Sequence, residues 1–186
     1  MLLGMKRVLV TGGAGFIGSN FLHWLARNTD ASWTVLDSLT YAGNLASFEG
    51  LPSERHAFVE GSVADLDLVS ELVEAHDAVI IACPEHNGAM PAAFKNLIDW
   101  GSRYANTQSH KLFGDKPVLL LSTSPGPNGG ASNLALLAQL LPFQGANIVG
   151  QYSRGSYGDH FDANGKADAD TQTALREALK PLLAQL

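Results

Sequence analysis

VIIACPEHNGAMP, residues 79–91, is the stretch whose reading decides how this chain folds. It opens on Val79, Ile80, Ile81 and Ala82, a short continuous apolar run of the kind found in strands covered on both faces. Two prolines, a glycine and an Asn-Gly pair follow, which end a strand and turn the chain. Beyond them, Met90, Phe94, Leu97, Ile98 and Gly101 recur at helical spacing, with Pro91 suited to the first turn of a helix. Buried strand, loop and helix in this order form one unit of an alternating α/β fold.

The same unit recurs outward in both directions. Runs at 7–11 (RVLVT), 33–36 (WTVL), 56–60 (HAFVE), 78–82 (AVIIA), 117–121 (PVLLL) and 146–149 (ANIV) predict six strands. Helical stripes lie between them: Ile17, Phe21, Trp24 and Leu25; Leu66, Val69, Leu72 and Val73, with Asp65 placed to cap; Leu134, Leu137 and Leu141; and Leu175, Leu179, Leu182, Leu183 and Leu186. Core packing is the role these stripes predict. Strict alternation implies a parallel sheet with right-handed crossovers. Neither an internal repeat nor a separating linker interrupts the pattern, so residues 1–186 read as one doubly wound domain.

Composition narrows the function. A chain of 186 residues suits one domain that buries roughly 70% of its unfolded surface. With 46% hydrophobic and 16% charged residues it reads as an ordinary globular protein. Its net charge of -6 and the absence of any basic cluster argue against a nucleic-acid partner. The single cysteine, Cys83, excludes an intrachain disulfide and fits a reducing compartment; at a strand end it reads as a small buried apolar residue. No cleavage-site pattern follows the first residues and no run of 18 apolar residues occurs, so a cytoplasmic protein with no membrane partner is expected. The six histidines include no pair at metal-ligand spacing, so no metal site is expected.

VLVTGGAGFIGSNFLHWLA, residues 8–26, sets Gly12, Gly15 and Gly18 between the first strand and the first helix. Gly12 allows a tight turn, Gly15 lets a pyrophosphate approach the backbone, and Gly18 lets helix and sheet pack closely. The amides near Phe16 and Ile17 would face the anion at the positive end of the helix dipole. Asp37 ends the next strand 19 residues after Gly18 and can accept bonds from ribose hydroxyls, while its charge opposes a 2′-phosphate. That favours NAD over NADP. A glycine-rich turn without a ligand is the competing reading.

These residues, with VLDSLTYAGN at 35–44, resemble the extended short-chain dehydrogenases, and LTYAGN resembles the nucleotide-sugar 4,6-dehydratases in particular. The resemblance covers about residues 5 to 78. It implies a Rossmann-like half with NAD contacts from Gly12, Gly15, Phe16, Ile17, Gly18, Asp37, Leu39 and Thr40. Where that family carries Gly-Asp-Ile beside the adenine, this chain has Gly61, Ser62 and Val63. The family's Tyr-x-x-x-Lys pair is missing, since none of Tyr41, Tyr104, Tyr152 and Tyr157 has a lysine four residues later. Dehydratase chemistry is therefore excluded, and no catalytic residue is nominated.

From Ala78 onward the resemblance changes. ACPEHNGAMPAAFKNLIDW (82–100), LLLSTSPGPNGG (119–130) and FDANGKADADTQTALREAL (161–179) resemble the flavodoxin-like NAD(P)H-dependent FMN and quinone reductases. The resemblance implies a flavin cradle built from Pro84, Glu85, His86, Asn87 and Gly88 on one loop and Ser122, Ser124, Gly126, Gly129 and Gly130 on another. Backbone amides of the first loop would bond the polar edge of the ring, and the glycines of the second would let the ring lie close. His86 stands where that family has a tyrosine. For Glu85 and His86, acid/base work and loop anchoring both stay open. The family's Ser-rich phosphate loop is absent, and TGGAGFIGSN stands in its place.

A dehydrogenase sheet has order 3-2-1-4-5-6 and a flavodoxin-like sheet 2-1-3-4-5, and in both the strand that begins the second half lies beside strand one. Strand 78–82 can serve both. The expectation is a six-stranded sheet in order 3-2-1-4-5-6 with helices on both faces, a Rossmann-like half at 1–78 and a flavodoxin-like half at 79–186. Such a join suggests an engineered chimera acting as a nucleotide-cofactor scaffold, with NAD on the glycine loop and little turnover. An FMN-dependent NAD(P)H or quinone oxidoreductase is the alternative, and a fold without ligand the third. The helix after Pro91, with Trp100 and Tyr104, is the expected surface for a homodimer.

Overall fold

Six strands pair in parallel in the order β3-β2-β1-β4-β5-β6, as the sequence predicts. The computed structural model describes residues 6–104, 110–163 and 165–185. The strands are β1 (Arg7–Thr11), β2 (Ser32–Asp37), β3 (His56–Glu60), β4 (Ala78–Ala82), β5 (Pro117–Thr123) and β6 (Asn147–Arg154). The helices are α1 (Phe16–Asn28), α2 (Leu66–Ala75), α3 (Ala92–Tyr104), α4 (Ala131–Leu140), the single turn α5 (Tyr157–His160) and α6 (Ala169–Leu183).

The continuous apolar strands follow from burial on both faces. Leu9, Leu36, Val79, Ile81, Val118 and Leu120 face α2, α3 and α4, where Val69, Phe94, Leu97, Leu134 and Leu137 complete the layer. Val8, Val10, Val35, Ile80, Leu119 and Leu121 face the opposite way, onto Phe21, Leu22, Leu25, Leu175 and Leu179. Each such side chain contributes about 1.5–3 kcal/mol by leaving water. The helical stripes named above thus face the core, although Trp24, Leu66, Leu72 and Leu183 are only half-buried, and Leu186 lies outside the described residues.

Several boundaries depart from expectation: β2 runs one residue further at each end than the expected 33–36, and β5 runs on to Thr123 past the expected 121. β6 runs from Asn147 to Arg154, well past the expected 146–149. Its later residues, GQYSR, carry no continuous apolar run, because β6 is an edge strand that is only partly buried along its length. The pairing slips between Val118 and Leu119, which face Ile148 and Gly150, and leaves Val149 as the extra residue of a bulge. Pro91 precedes α3 instead of lying in its first turn, and its carbonyl accepts the Phe94 and Lys95 amides.

Helix ends are held by side chains. Asp65 caps α2 through the Leu68 amide, and Asp168 caps α6 through the Thr171 amide. The Lys116 ammonium donates to the carbonyls of Val73, Glu74 and His76 at the end of α2, a cation at the negative pole of a helix. β1 lies between β2 and β4, so the connections leaving its end and that of β4 run to opposite sides. A crevice opens there, the place where doubly wound sheets hold ligands.

Candidate cofactor cleft

The glycines of the first loop have unlike duties. Gly12 has φ +70, and a side chain there would overlap the carbonyl oxygen of Ala82, so it lets the ends of β1 and β4 meet. A Cβ on Gly18 would fall 2.8 Å from Gly13 Cα and overlap the Gly12 carbonyl, so Gly18 lets α1 close on the loop. Gly15 differs. It has φ -79, and a Cβ there would meet only the Gly12 oxygen, at an ordinary 3.4 Å. That methyl would stand in the cleft, and the fold makes no demand for its absence. Gly15 is also the N-cap of α1, with no side-chain cap, so the first amides of the helix are left to an anion.

Asp37 is fixed onto this loop from β2. Its Oδ2 accepts the Ala14 amide at 3.0 Å and its Oδ1 the Leu39 amide at 2.9 Å. Each carboxylate oxygen keeps a further lone pair for a ligand. Leu39 takes φ +48 to make this turn, and Gly43 folds back so closely that a Cβ there would lie 2.8 Å from Leu39 Cα.

The loop after β4 is a tight hairpin. Asn87 and Gly88 both have positive φ (54 and 82), the signature of a type I′ turn, and His86 and Ala89 exchange amide bonds of 2.7 and 3.2 Å. The His86 and Ala89 amides are thereby spent on the turn. Glu85 points away, its Oε2 accepting the Asn133 amide at 2.9 Å and capping the first turn of α4. Asn133, fully buried, donates from Nδ2 to the Cys83 and Pro84 carbonyls. This pair locks the β4 loop to α4, which is loop anchoring for Glu85.

Gly129 and Gly130 serve packing. A Cβ on Gly129 would meet Gly155 N at 2.5 Å, and one on Gly130 would meet Ser122 Cβ at 2.8 Å. Gly126 has open space around it. The Ser122 hydroxyl is buried without a hydrogen-bond partner. From the end of β6, Tyr157 stacks on Phe16 of α1 at 5.1 Å, and Phe161 also packs against it at 6.4 Å. The strap that carries them is tied down by Asn20, which bonds the Gly165 carbonyl and the Ala167 amide, and by His160, set between Arg154 and Asp168. Hydrogen bonds from Thr171 and then His160 hold the Asp168 carboxyl down at about 2.

These parts enclose one cleft of about 830 Å³. Of the residues expected from the sequence, Gly12, Gly15, Phe16, Ile17, Asp37, Thr40, Val63, Pro84, His86, Ser122 and Ser124 line it. Gly18, Leu39, Ser62, Glu85, Asn87, Gly88, Gly126, Gly129 and Gly130 are not part of that lining. Among the lining residues that sequence reasoning missed are Ser38, Tyr41, Gly61, Pro91, Phe94 and Tyr157. Tyr41, inside the LTYAGN run, could have been found there; Tyr157 carries no local signal, because only the strap brings it to Phe16. Among the described residues the lining includes one carboxylate, Asp37, and no lysine or arginine. Burial pushes the Cys83 thiol up to about 11, opposed by a hydrogen bond with Asn133, so it is an inert wall of the cleft.

The uncapped helix, the cradle at Gly15 and the orphan Ser122 hydroxyl fit a nucleotide cofactor. Fold and cleft together define a doubly wound α/β protein of the nucleotide-binding kind. A family model for NADPH-dependent FMN reductases matches residues 14–158, and the chain belongs to that family. The match crosses residue 78, the expected seam, so one family covers both sides of it; an engineered origin finds no support in these comparisons.

Part of the chain is similar to the low-salt glycan biosynthesis protein Agl12 of Haloferax volcanii, 51% identical over 97 residues, which cover 48% of this chain and 31% of that protein. The chain spans less than a third of the length of the curated relatives it matches. Among solved structures, an oxidoreductase from Corynebacterium diphtheriae shares the fold across 97% of this chain and 96% of its own, with TM-score 0.59 and 15% identity. The dTDP-glucose 4,6-dehydratase of Bacillus anthracis, solved with NAD, shares it over 77% of this chain and 53% of its own, with TM-score 0.54 and 19% identity. Among the described residues no helix is long and apolar enough to cross a membrane.

Proposed function

We propose that this protein is a flavin-dependent NAD(P)H oxidoreductase whose flavin occupies the cleft between the glycine loop and the loops after β4 and β5. One observation carries the reading. In a chain of the FMN reductase family, the uncapped start of α1 opens into the same cleft as Pro84, His86 and Ser122–Pro125.

The bound flavin would supply the hydride chemistry. The chain's own residues would bind and orient it. The first amides of α1 hold phosphate oxygens, with Gly15 leaving room for them. Pro84 and His86 on one side and Ser124 and Pro125 on the other form the walls of the ring site. Asn133 and Glu85 keep the first of these walls in place. No side chain is needed as a nucleophile or proton carrier, which agrees with the absence of a Tyr-x-x-x-Lys pair.

The test is an absorption spectrum of the protein as purified, followed by titration with flavin. Flavin absorption near 450 nm (a property of the free cofactor), or saturable flavin uptake, is the expected result. A colourless protein that takes up no flavin on soaking would refute the reading.

A second reading rests on Asp37 and the glycine loop, together with the chain's partial similarity to dTDP-glucose 4,6-dehydratases. On that reading the protein is an NAD-binding scaffold, and the helix after Pro91 makes a homodimer. Trp100 on that helix is 60% exposed, while the Tyr104 side chain lies outside the described residues. Titration calorimetry with NAD against Gly15→Val tests the NAD site, and equal heats would refute it; sedimentation tests the dimer.

A further inference from the structure

We infer that a second cavity, between α1, α6 and the strap that joins β6 to α6, binds a small organic phosphate: a phosphate monoester on a body of one ring or one sugar. No residue of this cavity lines the cofactor cleft, so the inference stands apart from the flavin reading.

The cavity has a volume of about 340 Å³, at the low end of the roughly 300–1,000 Å³ usual for ligand sites, which suits such a body better than a dinucleotide. Its walls are preformed. Asn20 of α1 bonds the Gly165 carbonyl and the Ala167 amide of the strap, and Gln172 of α6 bonds the Ala167 carbonyl. Three separate pieces of chain are thus held around one space.

Charge says what that space attracts. Arg27 enters it from α1, Lys166 from the strap and Arg176 from α6, and among the described residues no carboxylate lines it. The neighbouring amide side chains are committed, Asn20 and Gln172 to the strap and Asn28 to the Trp24 carbonyl. The cations are not. Among the described residues none of the three has an ion-pair partner, and only Arg27 Nε is bonded, to the His23 carbonyl. By contrast, Lys95 and Lys180 pair with carboxylates of their own helices, and Arg55 and Lys116 are spent on backbone carbonyls. In a chain of net charge -6, three uncompensated cations around one hollow form a local anion site. A phosphate monoester carries about -1.5 to -2 at neutral pH, and each guanidinium can take two of its oxygens.

The organic body follows from the remaining lining. Trp24 and Leu175 give the cavity apolar surface, which a bare phosphate ion would leave in water. Gly165 also lines it, and a Cβ there would lie 3.4 Å from the Phe16 ring, which lines the cofactor cleft. A ligand here therefore touches the strap and not the cofactor.

The protein as purified is titrated with ribose 5-phosphate, phenyl phosphate, inorganic phosphate and ribose, by calorimetry and by tryptophan fluorescence. At least one of the two organic phosphates is expected to bind saturably, roughly tenfold or more tighter than inorganic phosphate, and ribose not at all. Arg27→Ala and Arg176→Ala remove exposed side chains, so each should weaken binding by roughly fivefold or more and leave the melting temperature unchanged. Trp24→Phe should remove the fluorescence change and keep the heat of binding. Gly15→Val, which crowds the cofactor cleft, should leave binding within about twofold. Saturable binding of neither organic phosphate, inorganic phosphate binding equally well, or full affinity in both arginine variants would overturn the inference. So would loss of binding in Gly15→Val. None of these outcomes bears on flavin uptake, which the absorption spectrum reads separately.

Discussion

Substituting the two glycines that flank the start of α1 separates what the fold requires from what a ligand requires. At Gly18 a methyl would overlap backbone on two sides, the Gly12 carbonyl and Gly13 Cα at 2.8 Å, and backbone cannot rotate away as a side chain can. Forced contacts of this kind cost about 1–3 kcal/mol. In a chain of this size each kcal/mol moves Tm by about 2–4 °C, so Gly18→Ala is expected to melt lower by about 2–12 °C. At Gly15 the backbone has φ -79, and the added Cβ meets nothing closer than 3.4 Å. Gly15→Ala should therefore be neutral or stabilising by up to about 1 kcal/mol, since it restricts only the unfolded chain. Its methyl nevertheless stands where phosphate oxygens must approach the helix amides. Binding should fall at least tenfold, about 1.4 kcal/mol, and Gly15→Val should fall further. Thermal denaturation and flavin titration on the same three variants provide the assay. A Gly15→Ala protein that melts as low as Gly18→Ala would show that the fold itself needs this glycine, and one that binds flavin like the parent would show that phosphate is not held on this helix.

Two further outcomes follow from buried polar groups. Asn133→Ala leaves the Cys83 and Pro84 carbonyls without their donor, which should cost about 1–3 kcal/mol in denaturant unfolding and loosen the β4 loop; an unchanged midpoint would show that this tie is idle. His76 is buried, with Nδ1 bonded to the Leu72 carbonyl and Nε2 to Thr34 Oγ1, and burial lowers its pKa below 6.5. The unfolded chain then binds the proton first, so stability should be full above about pH 6.5 and decline as pH falls toward the folded-state value. His76→Gln should flatten that decline between pH 7.5 and 5.5, and an unchanged slope would assign it to other groups.

The order of the sheet was legible because each strand is a continuous apolar run and each helix a 3.6-period stripe, and both signals are local. The strand at 78–82 was legible as the one that neighbours β1 in either sheet type. The end of β6 was not, because an edge strand that stays partly exposed need not be apolar. Within the site, Gly12, Gly15 and Asp37 could be found from spacing, since the loop between β1 and α1 is short and rigid. The roles of Gly129, Gly130 and Glu85 could not. They depend on Gly155, Ser122 and Asn133, groups that are distant in sequence except for neighbouring Ser122 and that meet only through the parallel crossovers.

What the chain's sequence determined by itself was therefore the alternation of elements, the strand order, and a glycine loop with an acidic residue one strand away. The tertiary structure alone decided which of those residues face a common cleft. Pro84 and His86 reach it, while Glu85, Asn87 and Gly88 turn aside, because the hairpin after β4 spends its amides on itself and its carboxylate on α4. Tyr157 enters it because the strap after β6 is tied to α1 through Asn20 and Phe16. Local pattern is set by the burial each residue needs; a binding surface is set by which distant residues the packed layers carry to the same place.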